Sequence, residues 1–345
     1  MNDRSTMLDT VDKVIRAFGL GNVLSIDELP GGHIHRSFTV ELKSGKKYLL
    51  QKLNTFVFPK PNEIGSNIEK LTKHLLRDRA YPYQVSSLIR TRTGDLGVHT
   101  PSGFYWRCMT YIDNAGMGSS NADQGLVFKV AEAFGAFARS LSNFDTSLIT
   151  DSIPNFHNPV YRKNQFLEAL QKGQKKRLDK AKRAIDKLMT HSSIFDSMEA
   201  ASLPVRVVHN DAKITNVLLS SGNKEIAAII DLDTVMAGSV VHDFGDLVRS
   251  LASSAGEDAT SVVFLPERYH AILSGYAHGG GDSLSSQETD ALALGAKYII
   301  LEQASRFLAD YLTGDLYYKI SRKDHNLIRA NNQLKLLLSM TDQGL

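Results

Sequence analysis

The sequence predicts an α+β chain of two lobes, a small strand-rich N-terminal lobe and a larger helical C-terminal one. Two observations carry this prediction. Short alternating apolar runs crowd the first third of the chain, whereas stripes at helical spacing dominate the rest and are interrupted by a single hairpin pattern. At 345 residues the chain also exceeds the size at which one hydrophobic core stops growing. The division is placed between residues 1–112 and 113–345.

The elements follow in order. A helix is expected over Leu8 to Phe18. Ser37 to Leu42, the turn Ser44-Gly45-Lys46 and Lys47 to Leu53 read as a hairpin. Ile64 to Leu76 reads as a helix. Gln84 to Ile89 and Phe104 to Ile112 read as strands, joined through the turn-rich Thr93-Gly94-Asp95. Leu126, Val130, Phe134, Phe137 and Leu141 then lie on one helical stripe. Further on, Leu178, Ala181, Ile185, Leu188 and Met189 recur at helical spacing among many lysines and arginines, which makes an amphipathic helix with a solvated basic face. Gly279-Gly280-Gly281 reads as a loop between helices.

Composition narrows the function class. Hydrophobic residues make up 42% of the chain and charged ones 22%, the ordinary balance of a soluble domain. The net charge is only +3, and the basic segment carries no interleaved aromatics, so no nucleic-acid partner is expected. The single cysteine, Cys108, sits in the apolar run Trp106 to Met109 and reads as a buried small hydrophobe. The N-terminus has no apolar signal region, and no apolar run approaches the roughly 18 residues of a membrane span. A cytoplasmic location and no membrane partner are expected.

The chemistry is concentrated in His209-Asn210-Asp211-Ala212-Lys213-Ile214-Thr215-Asn216 and in Asp231, which follows the apolar run Ile226 to Ile230. Val217 to Leu219, the polar Ser220 to Lys224 and that apolar run form a hairpin pattern. A turn centred on Gly222 and Asn223 brings Asn216 to within about two residues of Asp231 across the open end. Phosphoryl transfer from ATP needs parts of this kind at this spacing: an Asp to accept the proton of the attacking hydroxyl, a cation near the transferred group, and an Asn with a second Asp for Mg2+. Asp211, Lys213, Asn216 and Asp231 fill those roles.

Two features of the first lobe suit a nucleotide. Gly31 and Gly32 precede the strand at Ser37 and let backbone amides approach phosphates, although an ordinary turn reads the same way. Met109, Tyr111 and Ile112 end the last strand of the lobe, where backbone can meet an adenine edge.

With these residues in view, the chain resembles the aminoglycoside phosphotransferase and choline kinase superfamily, and within it the N-acetylhexosamine 1-kinases. The segments that carry the resemblance are Gly31-Gly32-His33-Ile34-His35, Tyr48 to Thr55, the loop from Val207 to Leu219, Ile229 to Thr234 continuing to His242-Asp243-Phe244-Gly245-Asp246, Arg306 to Leu312, and His325 to Arg329. The resemblance implies a protein-kinase-like fold that binds ATP and Mg2+. Asp211 would be the base and Asn216 with Asp231 the metal ligands. The acceptor implied is the anomeric hydroxyl of N-acetylglucosamine or N-acetylgalactosamine, with His33, Asp233, Arg306 and Tyr317 around the sugar. Arg306 can equally pair with Asp310 along its helix, and Tyr317 can pack on Tyr318.

The chain departs from the family pattern at one place. Gln51 stands where kinases carry the third-strand Lys, Lys52 belongs to the other side of that strand, and Glu69, the candidate helix Glu, loses its partner. Lys213 is expected to answer more of the phosphate charge. Asp243, although followed by Phe244 and Gly245, comes after the hairpin that delivers Asp231 and is expected to support the catalytic loop. Other acceptors (choline, an aminoglycoside, methylthioribose) use the same loop. A metal-dependent phosphohydrolase built on His242-Asp243 and a silent nucleotide-binding module are the readings from other classes.

Overall fold

The computed structural model describes residues 11–345 except 31–34, 102, 115, 119–121, 221 and 223–224. The N-terminal sheet is antiparallel in the order β1-β2-β3-β6-β4, with β5 also on β6. Its strands are β1 (Val23–Leu29), β2 (Arg36–Leu42), β3 (Lys47–Leu53), β4 (Leu88–Ile89), β5 (Val98–His99) and β6 (Tyr105–Thr110). Residues 11–18 form helix α1. Alternation along the strands assigns two faces. Phe38, Val40, Leu50, Trp106 and Cys108 pack with Val11, Val14, Ile15 and Phe18 of α1. Gln51 and Arg107 lie on the other face and pair across β3 and β6. Cys108 is fully buried, and burial pushes its thiol up to about 12, so it behaves as the expected small hydrophobe.

Helix α2 (Pro61–Leu75) opens with proline in its first turn and buries Ile64, Ile68, Leu71 and Leu75. These residues belong to the same core as the C-terminal helices, so the sheet is seated on the larger lobe by apolar packing. That lobe comprises α3 (Gln124–Ser140), α4 (Pro159–Lys172), α5 (Lys175–Thr190), α6 (Ser193–Ala200), α7 (Val240–Leu251), α8 (Pro266–Gly280), α9 (Ser286–Asp290), α10 (Leu292–Thr313) and α11 (His325–Asp342). Helix α10 is central and touches α4, α5, α6, α7, α9 and α11. Helix α5 is the basic amphipathic helix expected, with Ala181, Ala184 and Leu188 buried; Met189 lies outside its apolar face.

Four short strands, β7 (Arg206–Val208), β8 (Val217–Leu219), β9 (Ile226–Ile229) and β10 (Met236–Gly238), interrupt the helices. Strand β8 pairs with β9 from Val217↔Ile229, and β10 returns to β7 at Met236↔Val208.

Three expectations change. Strand β1 is added: it is an edge strand whose Ser25, Asp27 and Glu28 dilute the apolar pattern. The strand expected from Gln84 shrinks to Leu88–Ile89, because Gln84 bonds instead to Ala227 of the β8–β9 hairpin. Gly279 and Gly280 end helix α8 and do not form a loop. A Cβ on Gly279 would lie 2.0 Å from the Glu132 carbonyl of α3, so the glycine is demanded by close helix contact.

Candidate active site

Asp211 lies in the loop between β7 and β8, which the surrounding structure holds at both ends. Asp243, at the start of α7, accepts the backbone N–H groups of His209 at 2.9 Å and Asn210 at 2.7 Å. Burial pushes its carboxyl up to about 6, against the pull of His209 and those two amides. This is the supporting role expected of Asp243. Asn210 takes a left-handed φ of 61°, and its side-chain amide donates to the Thr234 carbonyl at 3.1 Å. His209 is buried between Phe134 and Phe137, its Nε2 facing the Ile230 carbonyl at 3.0 Å. His242 Nδ1 accepts the Ser239 N–H that starts α7. Each histidine thus spends one ring nitrogen on backbone, and among the described residues no three His, Cys, Asp or Glu side chains are grouped as a His-Asp hydrolase would need.

Lys213 Nζ donates to both Asp211 oxygens, at 2.9 and 2.8 Å, and Asn216 Nδ2 donates to Asp211 Oδ2 at 2.9 Å. Burial works against the Asp211 charge, yet Lys213 holds the carboxyl below its ordinary value. The carboxylate is therefore ionised and held by two donors. Lys213→Ala is expected to lower kcat at least about tenfold, since the cation beside the base is lost; an unchanged kcat would remove Lys213 from the mechanism.

The hairpin register holds. Ile230 N donates to Asn216 O at 2.9 Å, so Asp231 stands beside Asn216 at the open end. Asp231 adopts a left-handed φ of 62° before the short turn Leu232–Thr234. Such a backbone for a non-glycine residue marks a constrained position. Its carboxylate makes no hydrogen bond to a described residue, and burial with Asp233 and Asp211 nearby pushes it up to about 6. Asp231 is open to solvent on one side, and a carboxylate crowded by two others is the condition a bound divalent ion relieves. Asn216 has committed Nδ2 to Asp211, which leaves Oδ1 to offer. Two protein ligands suit Mg2+, which keeps water and phosphate oxygens for the rest of its shell.

Asp233 departs from expectation. Arg107 donates to both its oxygens, with Nη2 at 2.8 Å, and His35 Nε2 lies 2.9 Å away. The residue is 2% exposed, so no oxygen is free for a sugar. Met109 also departs: it is paired with Leu49 on one side and Leu88 on the other, which uses its backbone in the sheet. Tyr111 and Ile112 follow the strand, and Ile112 packs on Ala227 and Ala228 of the hairpin, an apolar patch suited to a flat base. Gln51 bonds Ser37 and Arg107. Glu69 is occupied by Arg90 and Lys73 at the surface. Gly31, Gly32 and His33 fall outside the described residues.

A small cavity of about 40 Å³ opens beside Asp211, walled by Phe156, Asp246, Arg249, Glu302, Gln303 and Arg306. Ligand sites usually enclose about 300–1,000 Å³, so this cavity by itself has room for about one polar group. Arg306 lines it, its guanidinium 4.8 Å from the Phe156 ring centre. Tyr317 is more than half exposed and lies edge-on to Tyr318 outside the cavity. A larger cavity of about 410 Å³ lies behind the loop; it shares Phe156, His157 and Asn210 but is not lined by Asp211.

Known proteins share the family and the fold. A family model described as the phosphotransferase enzyme family (APH) matches residues 25–280. The amicoumacin kinase hAmiN, solved with AMP-PNP, Ca2+ and Ami, is 13% identical over 96% of this chain and 93% of its own, with a TM-score of 0.63. An aminoglycoside phosphotransferase from Alicyclobacillus acidocaldarius subsp. acidocaldarius is 14% identical over 96% of this chain and 95% of its own, also at 0.63. For choline kinase from Cryptosporidium parvum Iowa II the figures are 15%, 99%, 97% and 0.59. At these identities the likeness is one of fold, the protein-kinase-like arrangement of an antiparallel sheet over a helical lobe.

Proposed function

The chain belongs to the phosphotransferase enzyme family, and on that premise we propose that it transfers the γ-phosphoryl group of ATP to the anomeric hydroxyl of an N-acetylhexosamine, releasing the sugar 1-phosphate and ADP. The observation that carries the choice of acceptor is the charge balance of the cavity beside Asp211. Its three carboxylates are already paired, Asp246 with Arg249 at 2.7 Å, Glu302 with Arg306 at 3.5 Å, and Asp211 with Lys213 at 2.8 Å. A wall with no spare negative charge suits a neutral, hydroxyl-rich acceptor better than a polycation or a quaternary amine, which calls for carboxylates or stacked aromatics. The segments that resemble N-acetylhexosamine 1-kinases narrow the acceptor to the acetamido sugars, and His33, Arg306 and Tyr317 are assigned to its contacts.

Asp211 accepts the hydroxyl proton while the acceptor oxygen forms its bond to the γ-phosphorus. The bond from that phosphorus to the bridging oxygen breaks, and ADP leaves. Lys213 keeps Asp211 ionised before the transfer, and Asn216 fixes its orientation. Asn216 and Asp231 would hold Mg2+, which when bound neutralises charge on the phosphate oxygens. Gly31, Gly32, Gln51, Tyr111 and Ile112 are assigned to the nucleotide side.

The test is ADP release from Mg·ATP with N-acetylglucosamine, N-acetylgalactosamine, glucose, choline and kanamycin in parallel. Turnover with the acetamido sugars and an acid-labile anomeric phosphate is expected. Turnover confined to choline or kanamycin would overturn the sugar assignment and leave the phosphotransferase.

A further inference from the structure

A kinase needs a cation against the α- and β-phosphates of its nucleotide, and the third strand here offers Gln51 instead. The neighbouring strand supplies the charge. Arg107 of β6 is the cross-strand partner of Gln51, and its Nε donates to Gln51 Oε1 at 2.9 Å. The guanidinium therefore occupies the face of the sheet that a third-strand lysine would serve, displaced by one strand. Arg107 is 3% exposed, and burying an arginine is tolerable only with a matching anion. That anion is Asp233, which it grips through Nη1 and Nη2. Three of the five guanidinium N–H groups are used by Gln51 and Asp233, so two remain for a further acceptor.

The location of Asp233 gives the pair its meaning. Asp233 sits two residues after Asp231 within the same short turn, so Arg107 is tied to the loop that carries the proposed metal ligand. His35 completes the junction: its Nδ1 accepts the Asn54 N–H at 3.0 Å, so its Nε2 carries the hydrogen that meets Asp233. The first described residue after the glycine segment is thus fastened to the same carboxylate. In the usual kinase arrangement the phosphate-binding cation is held by a glutamate on the following helix. Here that glutamate, Glu69, is taken by Arg90 at 2.7 Å.

We propose that Arg107 is the cation that meets the α- and β-phosphates of the nucleotide, held for that task by Asp233 in place of the absent lysine and glutamate pair. The inference rests on the nucleotide half of the function given above and is independent of the acceptor. The two remaining N–H groups, one on each Nη, point to opposite edges of the guanidinium, so a diphosphate oxygen would take one of them.

The test measures binding of Mg·ADP and of adenosine by calorimetry, without acceptor, to wild-type protein and to the double variant Arg107→Gln/Asp233→Asn, which removes both buried charges together. The double variant is expected to keep its adenosine affinity while binding ADP at least tenfold more weakly, and adding Gln51→Lys is expected to restore part of the loss. Equal ADP-to-adenosine ratios in the wild-type and a folded double variant would overturn the proposal, because Arg107 would then be structural only. Should that variant not fold, the apolar pair Arg107→Met/Asp233→Leu is held to the same ratio. Wild-type protein that binds neither ligand would overturn the nucleotide reading and this inference with it, whereas failure in the acceptor panel leaves the binding result standing.

Discussion

Asp211→Asn is expected to lower kcat by about 10²–10⁴-fold, the range that a positioned general base contributes, with a melting temperature close to that of the wild type. Only one oxygen is exchanged for an amide nitrogen, and the loop is held elsewhere, by Asp243 on the His209 and Asn210 amides and by the β8–β9 register. Asp211 and Lys213 are partly exposed, so water moderates the cost of leaving Lys213 without its anion. The change therefore separates chemistry from folding. It should also leave ATP binding nearly intact, since the metal ligands assigned, Asn216 and Asp231, are untouched. Acceptor-dependent ADP release, read beside a thermal melt, checks this; a kcat within tenfold of wild type would remove Asp211 from the base role.

The second large effect is on stability. Glu302 in α10 receives His157 at 2.7 Å and lies 3.4 Å from Arg162 and 3.5 Å from Arg306, and all four side chains are nearly buried. Tyr298 and His242 pack around His157. Glu302→Gln keeps the shape but leaves two arginines without their anion, which is expected to cost about 3–5 kcal/mol. The melting temperature should fall by at least about 5 °C. Burial works against the Glu302 charge, yet His157 and the two arginines hold its carboxyl down to about 2 from an ordinary 4.5. The folded value is the lower one, so this stabilisation is present above the unfolded value and is lost as pH falls from about 4.5 toward 2. Melts at pH 5 and pH 3 should therefore converge for wild type and variant at the lower pH. A variant as stable as wild type at pH 7 would show that the network contributes nothing.

The β8–β9 hairpin and the loop before it were legible in sequence because everything that defines them is local. Asp211, Lys213, Asn216 and Asp231 lie within one loop and one hairpin, where turn residues and alternation set the register to within a residue or two. Asp243 was legible for the same reason, since its place after the hairpin excluded it from the metal role. Apart from Arg306, the charged wall of the cavity and the interlobe ion pairs were not legible. Arg107 meets Asp233 across 126 positions, His35 meets Asp233 across 198 and His157 meets Glu302 across 145. A single sequence carries no signal for partners so far apart. One cue was present for each: Arg107 is a charge inside the apolar run Trp106 to Met109, and Glu302 is a charge inside the apolar run of α10 after Ile299, Ile300 and Leu301. A charge in such a run must be paired or functional. Gly279 and Gly280 show the opposite failure, because glycine signals a turn locally and a close helix contact only in three dimensions.

The most direct measurement is to follow ATP labelled in its γ-phosphate, with Mg2+ and a mixture of sugars, amino alcohols and aminoglycosides, in wild type and Asp211→Asn. Label moving into a small-molecule phosphate ester with wild type, sharply reduced in the variant, is the predicted result. Label found only as inorganic phosphate, or moving equally well in both proteins, would contradict direct transfer to a hydroxyl deprotonated by Asp211.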